Sequence, residues 1–239
     1  MNNLEILKAG IEGFNLEASD EKLEKLKKYR EILVEWNKVM NLTGIEEERE
    51  VFIKHFLDSI SAVTNGYIND NVSLIDVGTG AGFPGMPLKI CLDNLQLTLL
   101  DSLNKRINFL NLVVRELGLK NVKTIHSRAE DGARKPELRE KFDVATSRAV
   151  ANMAVLSEFC MPYVKKDGYF VALKGPAIDE ELENGSNAIK ILGGELQGII
   201  EISIEETDLK HNIVEVKKVK NCPKTYPRKA GTVNKKPLQ

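Results

Sequence analysis

The stretch VSLIDVGTGAGFPGMPL, residues 72–88, decides how the rest of the chain is interpreted. A largely apolar run over residues 72–77 stops at a cluster of four glycines, and a segment with two prolines follows. Glycine allows the backbone to adopt unusual dihedral angles and allows another group to approach it closely. The pattern therefore predicts a β-strand that ends in a tight turn with a ligand lying on it.

Short β-rich runs alternate with longer helical patterns after this turn. Strands are predicted at residues 72–77, 96–101, 122–126, 142–147 and 168–173, and helices at 86–92, 104–118, 151–163 and 178–192. This alternation is typical of a doubly wound α/β sheet with parallel strands. Two further strand patterns within residues 195–220 follow each other without a helix, so we expect them to pair antiparallel.

The region before the turn has a different periodicity. Apolar residues recur at helical spacing within 20–40 and 47–64, and Asn65-Gly66 signals the end of that region. We therefore expect an N-terminal helical extension over residues 1–66 and an α/β domain over residues 67–239. A parallel sheet closed by an antiparallel pair is the Rossmann-like arrangement of class I methyltransferases that use S-adenosylmethionine (SAM). The last strand of a dinucleotide-binding fold is usually parallel instead.

The composition is that of an ordinary soluble globular protein, with 42% hydrophobic and 29% charged residues. The chain does not begin with the pattern of a secretory signal, and no apolar run approaches the roughly 18–20 residues of a membrane span. The three cysteines are far apart and form no CxxC pair, which argues against disulfides and a zinc site. We therefore expect a cytoplasmic protein that binds no metal and no membrane, and a monomer.

Charge is distributed unevenly, although the net charge is only −1. The segment from Lys217 onward contains eight lysines or arginines and no acidic residue. Such a basic segment on a nearly neutral protein can contact phosphate groups. The alternative interpretation is a solvated terminus without a partner.

The glycine turn has the GxGxxG spacing of dinucleotide-binding proteins, but two features argue against a phosphate ligand. Asp76 would repel a pyrophosphate, and Pro84 and Pro87 lack the N–H groups that bind phosphate at the start of a helix. A ligand with a cationic amino acid end fits better. Asp76 can organise the turn or attract an ammonium group, while Gly78 and Gly80 let the ligand lie on the backbone.

Further acidic residues follow the next two strands. Asp101 ends the second strand about 20 residues beyond the glycines, where a carboxylate can accept both hydroxyls of a ribose. It could instead cap the helix that follows. Ala129 and Glu130 come after the third strand, in a loop that faces the adenine in a wound sheet, although Glu130 could instead be a surface carboxylate.

The end of the fourth strand, TSRA at residues 146–149, limits the chemistry. It lacks the Asn/Asp-Pro-Pro-aromatic run of enzymes that methylate an exocyclic amine, and the chain shows no cysteine in the context of a nucleophile. Guanine N7 carries an exposed lone pair and needs no general base before attack. Catalysis can then come mainly from alignment of the reacting atoms, worth about 7–11 kcal/mol. We place Arg148 on the cofactor or a phosphate, because a cation beside N7 would oppose the developing charge.

The chain resembles the RsmG (GidB) family, the bacterial 16S ribosomal RNA guanine-N7 methyltransferases, over nearly its whole length. The segments that carry the resemblance are WNKVMNLTGI, KHFLDSI, LIDVGTGAGFPGMPLKI, LLDSLNKRINFL, SRAED, FDVATSRAVA, GYFVALKG and YPRKAGT followed by KKPL. GFPG directly after the methyltransferase glycines, combined with SRA on the fourth strand, is the most specific part.

The resemblance implies SAM as the cofactor and 16S ribosomal RNA in the small ribosomal subunit as the partner. The residues expected at the cofactor are Gly78, Gly80, Phe83, Asp101, Ala129, Glu130 and Arg148. The residues expected at the RNA are Asn41, Lys174, Lys224, Arg228, Lys229, Lys235 and Lys236. We expect no residue to act as a general base.

Three other functions remain as alternatives. A small-molecule methyltransferase is disfavoured by the basic C-terminal segment, and an NAD-dependent oxidoreductase by Asp76 and Pro84. A non-catalytic RNA-binding protein would need neither the glycine turn nor the acidic positions. His55 and Asp58 are expected to pair across one turn on a helix surface, and His126 and His211 have no recognisable partner.

Overall fold

The computed structural model describes residues 2–204 and 210–238. The strands are β1 Ser73–Val77, β2 Gln96–Asp101, β3 Val122–His126, β4 Phe142–Arg148, β5 Val164–Lys174, β6 Gly194–Ser203 and β7 Lys210–Lys218. The helices are α1 Asn3–Gly13, α2 Asp20–Met40, α3 Glu48–Val51, α4 Asp58–Ile60, α5 Gly85–Cys91, α6 Asn104–Glu116, α7 Ala129–Gly132, α8 Met153–Cys160, α9 Asp179–Ile191 and α10 Thr232–Lys235. None of these helices is long and apolar enough to cross a membrane.

The strands form one mixed sheet in the order β3-β2-β1-β4-β5-β7-β6. β1 to β5 are parallel, while β7 is antiparallel to both β5 and β6. The predicted doubly wound α/β sheet with an antiparallel terminal pair is therefore confirmed. The sequence did not predict α7, because four residues are too few to show a helical period. The sequence also predicted that β5 begins at residue 168. The strand begins at Val164, and the charged residues directly after Val164 hid this start.

The N-terminal region packs directly on the sheet. A continuous helical segment over residues 48–65 contains α3, a π-helical turn at Phe52–Leu57, α4 and a 3₁₀ turn at Ser61–Asn65. Its buried apolar side chains belong to the same hydrophobic cluster as those of α2, β1 and β2. Tyr29 of α2 is fully buried and donates a hydrogen bond to the carbonyl oxygen of Ala81 in the glycine turn. The helical region therefore packs against the glycine turn and stabilises it.

The C-terminal segment after β7 lies on the other face of the sheet, against α8. Arg228 donates hydrogen bonds to both carboxylate oxygens of Glu158, which is fully buried. Arg139 donates to the carbonyl oxygens of Cys222 and Tyr226, 2.9 and 2.8 Å away. These contacts hold residues 222–228 against the fold, so this part of the segment is not a freely solvated terminus.

Candidate active site

A cavity of about 490 Å³ lies at the carboxyl ends of β1, β2, β3 and β4. Ligands bind at this edge in open α/β sheets, beside the point where the strand order reverses. The cavity is also lined by Leu42, Thr43 and His55 from the N-terminal region and by Asn234 of α10. Parts of the chain that are far apart in sequence therefore enclose one site.

The glycine turn forms the wall of the cavity at the end of β1. Gly78 and Gly80 have positive φ angles of 73° and 61°, which other residues adopt at a cost. A Cβ atom on Gly78 would lie 2.9 Å from Cγ2 of Val150. A side chain at Gly78 is therefore strained by the backbone conformation and would also have to displace the side chain of Val150.

Asp76 lies beneath this turn and is fully buried. Its Oδ2 accepts hydrogen bonds from the hydroxyl of Thr79 at 2.7 Å and from the backbone N–H of Gly85 at 2.9 Å. Burial raises the pKa of Asp76 to about 6, although the two hydrogen bonds lower it in part. Asp76 organises the turn, as one of its two predicted roles requires, and its Oδ1 has no partner among the described residues.

Asp101 ends β2, and both of its carboxylate oxygens face neighbouring donors. Oδ2 accepts from the N–H of Gly80 at 2.9 Å and from Arg106 at 3.3 Å, and Oδ1 accepts from the N–H of Leu103 at 2.9 Å. Asp101 lines the cavity and accepts from a residue that precedes α6, but no side chain caps that helix. The alternative of a plain helix cap is therefore wrong.

Ala129 and Glu130 begin α7 and line the cavity beyond Asp101. Glu130 is only 4% exposed, so the alternative of a surface carboxylate is wrong. The hydroxyl of Tyr163 donates to the carbonyl oxygen of Ala129 at 2.7 Å and fixes this end of the loop. These two residues therefore present a buried carboxylate at the far end of the cavity.

Arg148, at the end of β4, is held by the helical segment 48–65. Its Nη1 donates to Oδ2 of Asp58 at 2.6 Å and to the carbonyl oxygen of Lys54 at 3.0 Å, and its Nη2 lies 3.2 Å from Nδ1 of His55. The guanidinium carbon lies 4.9 Å from the centre of the Phe83 ring, and the His55 ring stacks on Phe83 at 4.6 Å. Arg148, His55 and Phe83 form one side of the cavity.

The expected surface pair of His55 and Asp58 is not formed. Asp58 is buried and instead contacts Arg148 and His211, whose Nδ1 lies 2.8 Å from Oδ1 of Asp58. The expectation that His211 has no partner is therefore wrong. The same expectation for His126 is also wrong, because its Nε2 lies 3.1 Å from the carbonyl oxygen of Ser102. These partners come from strands and loops that the local sequence does not reveal.

The protonation of His55 follows from its surroundings. Burial and the nearby charge of Arg148 lower the pKa of His55 to about 4. The ring is therefore neutral at physiological pH, and its Nδ1 can accept a hydrogen bond from Arg148. Its Nε2 lies 2.7 Å from Oγ1 of Thr43, and its Nδ1 also lies 3.2 Å from the carbonyl oxygen of Lys54.

The residues predicted at the RNA do not form a single group. Lys224, Lys229, Lys235 and Lys236 are exposed, and the last two continue from Asn234 at the cavity. Arg228 forms an ion pair with Glu158. Lys174 lies 2.5 Å from Oε1 of Glu181 and does not line the cavity. Asn41 is exposed and ends α2 in the left-handed conformation, next to the lining residues Leu42 and Thr43.

Several lining residues were not predicted from the sequence. Leu42 and Thr43 lie in the family segment WNKVMNLTGI, whereas Asn234 lies between the family segments YPRKAGT and KKPL and carries no signal of its own. Among the described residues, no group of three or more His, Cys, Asp or Glu side chains could hold a metal ion.

The chain matches a family model described as rRNA small subunit methyltransferase G over residues 22–213. Ribosomal RNA small subunit methyltransferase G of Clostridium botulinum (strain Eklund 17B) is 62% identical over 224 residues, which cover 94% of each chain. The protein of that name from Clostridium perfringens (strain 13) is 59% identical over the full length of both chains.

Solved structures of other proteins share the fold at low sequence identity. MtNAS in complex with MTA and tNA has a TM-score of 0.56 and 14% identity, covering 84% of this chain and 70% of MtNAS. TYW2 of M. jannaschii in complex with AdoMet has a TM-score of 0.52 and 15% identity, covering 68% of this chain and 77% of TYW2. At such identities the likeness concerns the arrangement of the sheet and helices alone.

Proposed function

The chain belongs to the rRNA small subunit methyltransferase G family, and we propose that it transfers a methyl group from SAM to N7 of a guanine in 16S ribosomal RNA. Membership in the family makes the chain a SAM-dependent ribosomal RNA methyltransferase. The choice of the N7 atom and of 16S RNA is the part that we propose. The arrangement of groups at the end of β4 is the observation that supports the choice of atom.

The cavity volume of about 490 Å³ and the polar groups that line it support SAM as the ligand. The main chain at Gly78 and Gly80 provides a surface without side chains, and the carboxylate of Asp101 can accept hydrogen bonds from ribose hydroxyls. Glu130 offers a buried carboxylate at the adenine end, where the described residues donate no hydrogen bond to it. When bound, SAM supplies a methyl group on a sulfonium that an acceptor lone pair can attack.

The cavity side formed by β4 and the helical segment 48–65 favours an acceptor that has no proton to lose. Asp58 is engaged by Arg148 and His211, and both ring nitrogens of His55 have neighbours within 3.2 Å. Burial raises the pKa of the Cys160 thiol well above its usual range, so Cys160 is no nucleophile. Guanine N7 needs only alignment at such a site.

Exposed lysines in the C-terminal segment supply the proposed RNA contacts. Lys224, Lys229, Lys235 and Lys236 have no ion pair with any residue that the structure describes. Asn234 places the last two beside the cavity opening. A phosphate backbone lying across them would present a base to the cavity. We leave Arg228 out of this group, because it neutralises Glu158.

The decisive experiment is methyl transfer from labelled SAM to small ribosomal subunits that lack the modification. The product is then treated with borohydride and aniline, which cleave RNA at 7-methylguanosine. We expect one cleavage site in 16S RNA. Incorporation without cleavage would contradict the N7 assignment. SAM binding without incorporation, on both subunits and naked RNA, would point to a small-molecule acceptor.

A further inference from the structure

A buried group of charged and polar side chains joins the helical segment 48–65 to two strands of the sheet. It consists of Asp58 and His55 from the segment, Arg148 from β4 and His211 from β7. We infer that Asp58 is a positioning residue for Arg148, and that His211 keeps Asp58 in place. This inference rests on the proposed function, because it concerns how Arg148 meets SAM.

The π-helical turn explains how one segment makes three contacts with the guanidinium of Arg148. The carbonyl of Lys54 and the ring of His55 both belong to this turn, and Asp58 follows it directly. All three face the guanidinium of Arg148, at 3.0, 3.2 and 2.6 Å. π-Helical turns are rare and frequently lie at functional sites. The turn here brings a carbonyl, an imidazole and a carboxylate to the same cation.

The buried charges of Asp58 and Arg148 compensate each other. Their side chains are only 11% and 14% exposed, so each would carry an uncompensated buried charge without the other. Asp58 makes a second contact on its other oxygen, with Nδ1 of His211 at 2.8 Å. Nε2 of His211 lies 3.1 Å from the hydroxyl of Ser61. The carboxylate therefore lies between the guanidinium and the His211 imidazole and contacts both.

The remaining donors of Arg148 are available to a ligand in the cavity. Of the five N–H groups of a guanidinium, Asp58, the Lys54 carbonyl and His55 use three. The N–H of Nε and the second N–H of Nη2 have no partner among residues 2–204 and 210–238. Arg148 lines the cavity, and a guanidinium with two free N–H groups can bind a carboxylate such as that of SAM.

The test is a double-mutant cycle on the affinity for SAM, measured by calorimetry with the full-length protein. We expect Asp58→Asn and Arg148→Gln each to weaken binding by at least about tenfold. The double variant should bind no more weakly than Arg148→Gln alone, because Asp58 acts only through Arg148. Losses that multiply in the double variant would overturn the inference, and so would unchanged affinity in Asp58→Asn.

A matched control is Asp143→Asn. Asp143 lies on β4 like Arg148, but at the opposite end of the strand, where it pairs with Lys165. We expect this variant to keep the SAM affinity of the wild type. His211→Gln provides a second test if Asp58→Asn does not fold, and its loss of affinity should likewise disappear in the Arg148→Gln background. A wild-type protein that binds no SAM would instead contradict the proposed function.

Discussion

Asp101 shows how one carboxylate serves both the fold and the cavity. Its oxygens accept the N–H groups of Gly80 and Leu103, which fixes the glycine turn relative to the start of α6. Arg106 occupies a further position on Oδ2, at 3.3 Å, while its own side chain is one-third exposed. A ribose that binds to Asp101 therefore competes with Arg106 alone, and the two backbone contacts can remain.

The substitution Gly78→Asp tests the glycine turn. It adds a side chain at a φ of 73°, where a Cβ would already lie 2.9 Å from Val150. We expect SAM affinity, measured by calorimetry, to fall by at least about tenfold, which equals 1.4 kcal/mol. Gly118→Asp is the control, because Gly118 has a φ of 62° with no atom within 4 Å of its Cβ position. Normal SAM affinity in Gly78→Asp would contradict the site.

The pH dependence of stability tests the environment of His55, which faces Arg148, Asp58 and Lys54. The unfolded chain protonates this histidine near pH 6.5, whereas the folded protein does so only near its pKa of about 4. The unfolded state therefore binds more protons between these values, and His55 destabilises the protein as the pH falls. We expect the melting temperature of the wild type to drop relative to that of His55→Gln from pH 6.5 to pH 4. Parallel curves for the two proteins would show that His55 is not buried as described.

At the scale of elements, a buried ion pair is one of the contacts that hold the C-terminal segment. Glu158 of α8 is fully buried and receives three donors of Arg228, including its backbone N–H at 2.7 Å. The neighbouring Lys229 is exposed. These two cations are adjacent in sequence, yet one stabilises the fold and the other is free for a ligand.

Arg228→Gln should therefore destabilise the protein, while Lys229→Gln should not. Removing one partner of a buried pair leaves the other charge uncompensated, so we expect Arg228→Gln to lower the free energy of unfolding by about 3 kcal/mol. Urea denaturation of both variants measures the difference. Equal stability would mean that Glu158 does not need Arg228.

The elements that the sequence predicted well are those with a repeated pattern. β1, β2 and β4 contain runs of buried side chains, α6 and α9 have buried side chains at helical spacing, and their approximate positions follow from these patterns. The contact between Asp58 and His211 has no such signal, because it depends on β7 returning beside β5 to meet the helical segment. The sequence did not predict the π-helical turn either, because the spacing of its apolar side chains is that of an ordinary helix.

At the scale of the whole molecule, two groups of four exposed lysines differ in their position relative to the cavity. Lys224, Lys229, Lys235 and Lys236 belong to the segment that reaches the cavity. Another four exposed lysines, Lys120, Lys123, Lys141 and Lys166, lie where β3, β4 and β5 begin, at the opposite edge. The net charge of −1 hides this separation, so position decides which lysines can meet the RNA.

Replacing the first four lysines by glutamine should weaken RNA binding and flatten its salt dependence. If each lysine contacts one phosphate, the slope of log K against log salt should fall by about 3. The same replacement of the second four should leave the slope unchanged, although it removes the same charge. Filter binding over a range of salt concentrations compares the two, and equal slopes would place the RNA elsewhere.

The enclosure of one cavity by Thr43, His55 and Asn234 has a consequence for biosynthesis. A growing chain can form β1 to β4 and the glycine turn well before residue 234 has left the ribosome. The cavity wall that α10 provides is still missing at that stage, as are the lysines beside it. The site therefore cannot be complete before α10 has been synthesised and has packed against α8.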